Sequence, residues 1–321
     1  MVTFVIRRLL YLIPVLIATS LIIFTFVTVS GDPLTQVRVI PNLSQETVEN
    51  IIEQNHLDRP LLVQYGYWVK EAVTDKFGTT LLGDEPIWPD LKRVLGNTLQ
   101  LIVLAQILGV AFAIGVGVLS AVKQYSVFDY ASTTLSFIGF STPVFWFALI
   151  LQIIFTNIYL NYDVRIFYTA QLSSPNPDNF WIDRLQHLAL PVITLTVLSV
   201  AQFSRYMRAS MLEVINSDYV RTARAKGLHE RGVIMRHAFR NALIPLVTVV
   251  ALDFGALFGG AFATETVFAL DGMGLYFLRA LGERDVYPLM AWLMVASLMV
   301  VLFNLIADII YGWLDPRIRY D

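Results

Sequence analysis

The chain has 321 residues, 56% of them hydrophobic and only 15% charged, and its mean hydropathy of +0.62 is far above that of a soluble globular domain. Its 23 basic and 25 acidic residues give a net charge of -2, so disorder is excluded and there is no polycationic field for a nucleic-acid partner. No cysteine is present, which removes disulfide scaffolds, thiolate metal sites and cysteine nucleophiles.

A segment crossing a ~30 Å hydrocarbon layer at ~1.5 Å per residue needs about 20 largely uncharged residues. The first window that meets this is 9–29, preceded by Arg7 and Arg8. It exceeds the apolar core of a signal peptide and lacks a small-residue cleavage pattern, so a retained span is expected. Residues 31–97 form the one sizeable soluble-looking stretch. Ser44 is placed to cap a short helix through Gln54, with Val48, Ile51 and Ile52 as its apolar stripe. Asp58 is placed to cap a second helix that starts at Pro60 and turns Leu61, Leu62, Tyr65, Trp68 and Val69 to one face. So aromatic a face lies on the membrane interface or on neighbouring spans, or it serves as a packing lid without ligand contacts.

Windows 98–122 and 131–160 are free of charge and make the second and third spans. Within the third, Ser141 lacks the following glycine of an intramembrane protease nucleophile. Beside Pro143 it reads as a helix-bending element whose hydroxyl bonds the freed carbonyl. The fourth span, 188–204, is short. The fifth, 242–264, carries the single charge Asp253, and the sixth covers 288–307.

Between the fourth and fifth spans, residues 205–241 are too polar to cross a membrane and too long for a simple connector. Ser217 or Asp218 can cap a short helix there. Val220, Ala223 and Gly227 fall at helical spacing, Arg221, Arg224 and Lys226 take the other faces, and Gly227 suits the left-handed position that ends a helix. Two readings stand: a positively charged loop solvated among head groups, or a knob that docks into a cytoplasmic partner.

With the N-terminus inside, the inner segments hold 13 basic and 6 acidic residues and the outer ones 10 basic and 17 acidic. This asymmetry predicts an all-α integral membrane protein of six transmembrane helices with both termini cytoplasmic. Residues 1–30 then form the N-terminus and first transmembrane helix. Residues 31–97 are an external segment with short amphipathic helices, and 98–321 a five-helix core containing the loop 205–241. Catalytic signatures are missing. Without a Gly-Lys dipeptide the chain has no Walker loop, and His56, His187, His229 and His237 do not form a His-Glu-x-x-His site.

Asp218-Tyr219-Val220-Arg221-Thr222-Ala223-Arg224-Ala225-Lys226-Gly227-Leu228, followed by Arg240-Asn241-Ala242-Leu243-Ile244-Pro245, resembles the coupling loop of bacterial ABC importer permeases. The match is nearest to the dipeptide, oligopeptide and nickel branch. That family's Glu-Ala-Ala triplet is occupied here by Arg221-Thr222-Ala223, and its closing glycine by Gly227. Only Ala223 and Gly227 match the general pattern, and the spacing to Pro245 is longer; the peptide branch tolerates both departures. The resemblance extends to Gly31-Asp32-Pro33, to Asp58-Arg59-Pro60-Leu61-Leu62-Val63-Gln64-Tyr65 and to Ser141-Thr142-Pro143-Val144-Phe145-Trp146. It continues through Glu265-Thr266-Val267-Phe268 and Gly272-Met273-Gly274 to Leu314-Asp315-Pro316-Arg317-Ile318-Arg319. Asp271 stands where relatives often carry proline.

The resemblance implies the first, B-type permease of an oligopeptide transporter in a bacterial inner membrane. It would pair with a second permease, two cytoplasmic ATPase subunits and an external substrate-binding protein. The chain would bind no cofactor and would not itself be an enzyme, since ATP and Mg belong to the partner subunits. Tyr219, Val220, Arg221, Ala223, Arg224 and Gly227 are the expected ATPase-coupling residues. Peptide is the expected cargo, with nickel or another small solute as the alternative. For the translocation path the candidates are Asp253, Gln106, Gln152 and Gln202, since a charge or amide inside a span faces protein or water; Asp253 could equally bond another helix, and amides in spans more often join helices. Asp308 near the end of the sixth span is expected to snorkel or pair with a basic residue. An ion-gradient transporter is the remaining alternative, and it requires acid and base clusters that the spans do not offer.

Overall fold

The computed structural model describes residues 2–31, 44–81, 85–283 and 285–314, so Asp32-Pro33 and Asp315-Pro316-Arg317-Ile318-Arg319 of the motifs above lie outside the described residues. Among the described residues the chain is helical: α1 (Val2–Gly31), α2 (Gln45–Gln54), α3 (Leu61–Thr74), α4 (Ile87–Val122), α5 (Val127–Ser141), α6 (Val144–Tyr162), α7 (Phe180–Ile215) and α8 (Asp218–Ala225). A single turn, Glu230–Gly232, then leads through a π-helical segment, Val233–Ala238, into α9 (Phe239–Gly260). The described residues end with α10 (Phe262–Val267), α11 (Met273–Glu283) and α12 (Val286–Leu314). Six of these helical stretches are long and apolar enough to cross a membrane. α4 and α7, at 36 residues each, extend about 54 Å and exceed the ~30 Å hydrocarbon thickness.

The expected third span is not one helix. Pro143 cannot donate to the ladder, so α5 stops at Ser141 and α6 begins at Val144. The hydroxyl that bonds a freed carbonyl belongs to Thr142, which donates to Ile138 O at 2.7 Å, and not to Ser141. Ser44 caps α2 as expected, its Oγ accepting from Thr47 N at 3.1 Å. Asp58 does not cap α3. The N-cap is Pro60, and Gln64 Nε2 reaches back to Leu57 O (3.2 Å) and Arg59 O (2.7 Å), tying the turn instead.

The chain divides into two compact units. Among the described residues, one joins 2–98 with 271–301 and the other joins 99–270 with 302–314. In the first, the aromatic face of α3 packs on a span. Trp68 and Tyr65 meet Phe24 of α1 at 5.7 and 5.5 Å, and Tyr65 Oη lies 2.8 Å from Ser20 Oγ. Ile87, Leu91 and Val94 of α4 pack with Met273 and Tyr276 of α11 and Ala291 of α12. Asp271 accepts from Arg93 and from Arg279, and Asn97 donates to its carbonyl, so the turn where proline was expected is held by charge instead.

In the second unit the half-buried to buried face of α7 is the spine. Ala105, Gly109, Ala113, Gly117 and Ala121 recur every fourth residue on α4. A Cβ at Gly109 would sit 2.7 Å from Ser199 Cβ, and one at Gly117 only 2.6 Å from Met207 Cβ, so α4 and α7 touch with no room for a side chain between them. Small residues that permit such approach are the usual device where lipid leaves no hydrophobic force between helices. α5 joins α7 through Ser136 and Ser204 (3.0 Å) and through a buried ion pair, in which Arg208 donates to both oxygens of Asp129 at 2.6 and 2.8 Å. Ser120 and the Tyr125 amide also donate to Asp129.

Candidate functional site

α8 lies where the sequence places the knob. Ser217 is its N-cap, but its hydroxyl donates backward to Val214 O at 2.6 Å and caps nothing. Lys226 ends the helix and Gly227 follows at φ +74°, the left-handed position expected of it, its amide donating to Arg224 O at 2.9 Å.

The expected docking surface is divided by the fold. Val220 (0% exposed) and Ala223 (6%) are buried in a cluster with Met207 and Met211 of α7, Val233 and Ala238 of the π-helical segment, and Ala242 and Leu246 of α9. Those two residues therefore clamp α8 to its own chain and present nothing to a partner. The small-residue spacing marks the buried seam, because only small or branched side chains let so short a helix approach two neighbours. Tyr219, Arg221 and Gly227 are exposed and Arg224 is half-buried. Arg224 is braced by Glu230 at 2.8 Å, a hydrogen bond that holds its guanidinium more firmly protonated, and it also donates to Ile215 O. Tyr219 Oη accepts from Asn241 Nδ2 at 3.0 Å, tying the first turn of α8 to α9. Ser210 Oγ donates to Ala242 O at 2.9 Å, so α7 and α9 are themselves joined just above the knob.

Of the path candidates, the structure brings together Gln106 of α4 and Asp253 of α9: Gln106 Nε2 donates to Asp253 Oδ2 at 2.7 Å. Gln106 is buried, and its Oε1 has no hydrogen-bond partner among the described residues. A buried acceptor left unpaired costs about 1–3 kcal/mol, which marks the pair as unfinished by protein alone. Gln152 is elsewhere. Its Nε2 donates to Thr169 O (2.9 Å) and Val267 O (3.1 Å), so this amide serves as a staple for the segment after α6. Gln202 is half-buried on α7. Asp129 and Arg208, two of the charges counted on the inner side, pair with each other, which the sequence did not reveal. Their separation of 79 residues leaves no local signal of pairing.

Residues 113–320 match the family of inner membrane components of binding-protein-dependent transport systems, and residues 1–87 match the N-terminal part of such membrane components. The chain is 38% identical over its whole length to the oligopeptide transport system permease protein AppB of Bacillus subtilis, all of which it covers. It is 35% identical to the dipeptide transport system permease protein DppB of Escherichia coli K12, with all of this chain and 99% of that protein covered. Two solved structures share the fold. One is the MetNI methionine ABC transporter (TM-score 0.57, 18% identity, 72% of this chain and 99% of that one), and the other an amino acid ABC transporter (0.53, 14%, 70% and 94%). With six spans, a short helix clamped between the fourth and fifth, and family matches over most of its length, the chain belongs to the inner membrane permeases of binding-protein-dependent transport systems, the ABC importer permeases it resembles.

Proposed function

We propose that the chain is the first of two permeases in an ATP-driven peptide importer, driven through α8 by separate cytoplasmic ATPase subunits that bind ATP and Mg. The observation that carries this is the two-sidedness of α8: one face is locked into its own chain by Val220 and Ala223, while Tyr219, Arg221 and Gly227 stand exposed. A helix held in this way passes on a displacement applied to its exposed side and does not absorb it. ATP-driven closure of the ATPase pair would draw α8 of each permease inward and carry α7 and α9 with it, favouring the outward-open state by differential binding. The peptide relatives, at 35–38% identity over the full chain, support peptide as cargo and an external binding protein as its source. Within this reading Asp253 and Gln106 line the path. The test is purification of the chain with its partners. Recovery with two ATPase subunits and peptide uptake that requires ATP are expected, whereas uptake by the isolated chain would refute the proposal. Asp253→Asn is expected to alter the relative uptake of cationic, neutral and anionic peptides; identical uptake of all three would remove Asp253 from the path.

A further inference from the structure

Residues 163–179, between α6 and α7, have no regular secondary structure, yet they are fastened at every few residues. Gln152 donates to Thr169 O, Tyr168 N to Gln186 O, Gln171 N to Phe268 O, and Arg184 to Leu172 O. Asp183 accepts from both the amide and the hydroxyl of Ser174, at 2.9 and 2.7 Å. His187, buried on α7, donates from Nδ1 to Ala170 O at 3.0 Å and stacks on Tyr168 at 3.9 Å and 9°. Gln171 is held at φ +67°, a conformation that side-chain-bearing residues adopt at a cost and that persists only where the surroundings enforce it. A loop fixed this firmly is pre-organised, and what it fixes is a pocket of about 290 Å³ between itself, the end of α6 and His187.

The lining decides what the pocket can hold. Arg165 is the cationic side chain at its mouth, with the guanidinium lying over the rings of Tyr159 (4.1 Å) and Tyr168 (5.0 Å), and no ion pair to Arg165 is present among the described residues. Phe155 and Phe167, in contact at 5.1 Å, supply apolar wall. No Asp or Glu lines it. An ammonium group or a metal ion therefore finds no carboxylate there. An anion finds a guanidinium already oriented by two rings, with its N–H edge free to make a bidentate pair. The aromatic walls further favour an anion that carries a carbon skeleton over inorganic phosphate, and the volume, at the low end of ligand sites, admits the last residue of a chain and not a long one. The distribution of basic residues puts this loop on the outer side, where cargo arrives.

We propose that this pocket is a receiving site for the C-terminal residue of an incoming peptide, with Arg165 pairing the terminal carboxylate and the aromatic walls holding the side chain. This rests on the peptide-importer reading above. The test uses the permease complex with its ATPases in nanodiscs, without the external binding protein. Binding of Ala-Ala-Phe and of its C-terminal amide is measured by saturation-transfer NMR. The acid is expected to bind about tenfold more tightly than the amide, Arg165→Gln to weaken the acid to the level of the amide, and Arg165→Lys to keep part of the preference. Equal binding of acid and amide by the parent, an undiminished preference in Arg165→Gln, or equal competition by inorganic phosphate would overturn the proposal. Arg165 is exposed, so both variants keep the parent's melting temperature. Peptide uptake by the complete system separates the two readings. Its absence in the parent defeats the importer and leaves the carboxylate site to stand on the binding data, while normal uptake with no acid preference in binding defeats the pocket alone.

Discussion

Replacement of Gly227 tests the coupling reading because the structure separates steric from conformational cost there. A Cβ at this position would meet nothing within 4 Å, so packing does not penalise a side chain. What remains is φ +74°, where an L-residue costs roughly 1–2 kcal/mol, asparagine least and a β-branched residue most. Gly227→Asn is therefore expected to be near neutral, Gly227→Ala to cost about 1 kcal/mol and Gly227→Val about 2 kcal/mol. At 1.4 kcal/mol per tenfold, valine shifts the turn that ends α8 away from its native form by about thirtyfold, while Val220 and Ala223 keep the rest of the helix seated. The assay is peptide transported per ATP hydrolysed, together with substrate stimulation of ATPase turnover, in reconstituted complexes. Coupling should fall in the order Gly, Asn, Ala, Val with little change in melting temperature. A valine variant with the parent's coupling ratio, or asparagine and valine variants that fail alike, would refute the argument.

Three further outcomes follow from the packing. Asp129→Asn leaves Arg208 facing a neutral amide; loss of one partner from a buried pair costs about 3 kcal/mol, read as a lower melting temperature in detergent. The Arg208 hydrogen bonds hold the Asp129 carboxyl well below the usual carboxylate range, so its contribution is present above the unfolded pKa, about 3.9, and lost only as pH falls through the depressed folded value. The gap between parent and variant should accordingly stay constant from about pH 5 to 8. Gly117→Ala drives a Cβ to 2.6 Å from Met207 Cβ and 2.8 Å from Ser204 O and should cost about 1–3 kcal/mol, whereas Gly115→Ala, which meets nothing within 4 Å, should not lower the melting temperature. Burial raises the Glu71 carboxyl above its ordinary 4.5, opposed by His56. A raised folded value gives stability that is fully present below the unfolded pKa and lost as pH rises through the folded one, so the parent should melt higher near pH 4.5 than at pH 7, and Glu71→Gln should flatten that difference.

Length and charge made the spans legible, because a lipid core imposes a length on any apolar helix that crosses it. Gly227 was legible for an equally local reason: a helix that must stop and turn needs a left-handed residue. What escaped reading depends on distant partners. Val220 and Ala223 had the spacing of a contact face, but spacing does not say whether the contact is with a partner or with the chain's own α7 and α9. Gln152 looked like a path residue because an amide in a span must find company, and nothing local shows that its company is the backbone at Thr169 and Val267. The small residues at 105, 109, 113, 117 and 121 were visible at fourfold spacing inside an uncharged window, and that signal marks a close-contact face on α4 without naming α7 as its partner.

The same contacts bear on how a push at α8 reaches Asp253. α8 is clamped to both α7 and the π-helical segment that opens α9, so its displacement enters both helices together. α4 lies directly against α7 at Gly109 and Gly117, with no gap between the two helices, so Gln106 sits on a helix in close contact with α7. Asp253 travels with α9. α7 and α9 are also joined directly, through Ser210 and Ala242 and the cluster around α8, and the 2.7 Å hydrogen bond from Gln106 to Asp253 links α4 to α9 along the proposed path. A carboxylate and an amide drawn apart beyond hydrogen-bond range, by about 1 Å here, lose that bond and must find another polar partner. Under the proposed function, motion of α8 is expected to reach the path as a change in this one pairing, and transport that persists unchanged in Gln106→Leu would refute that link.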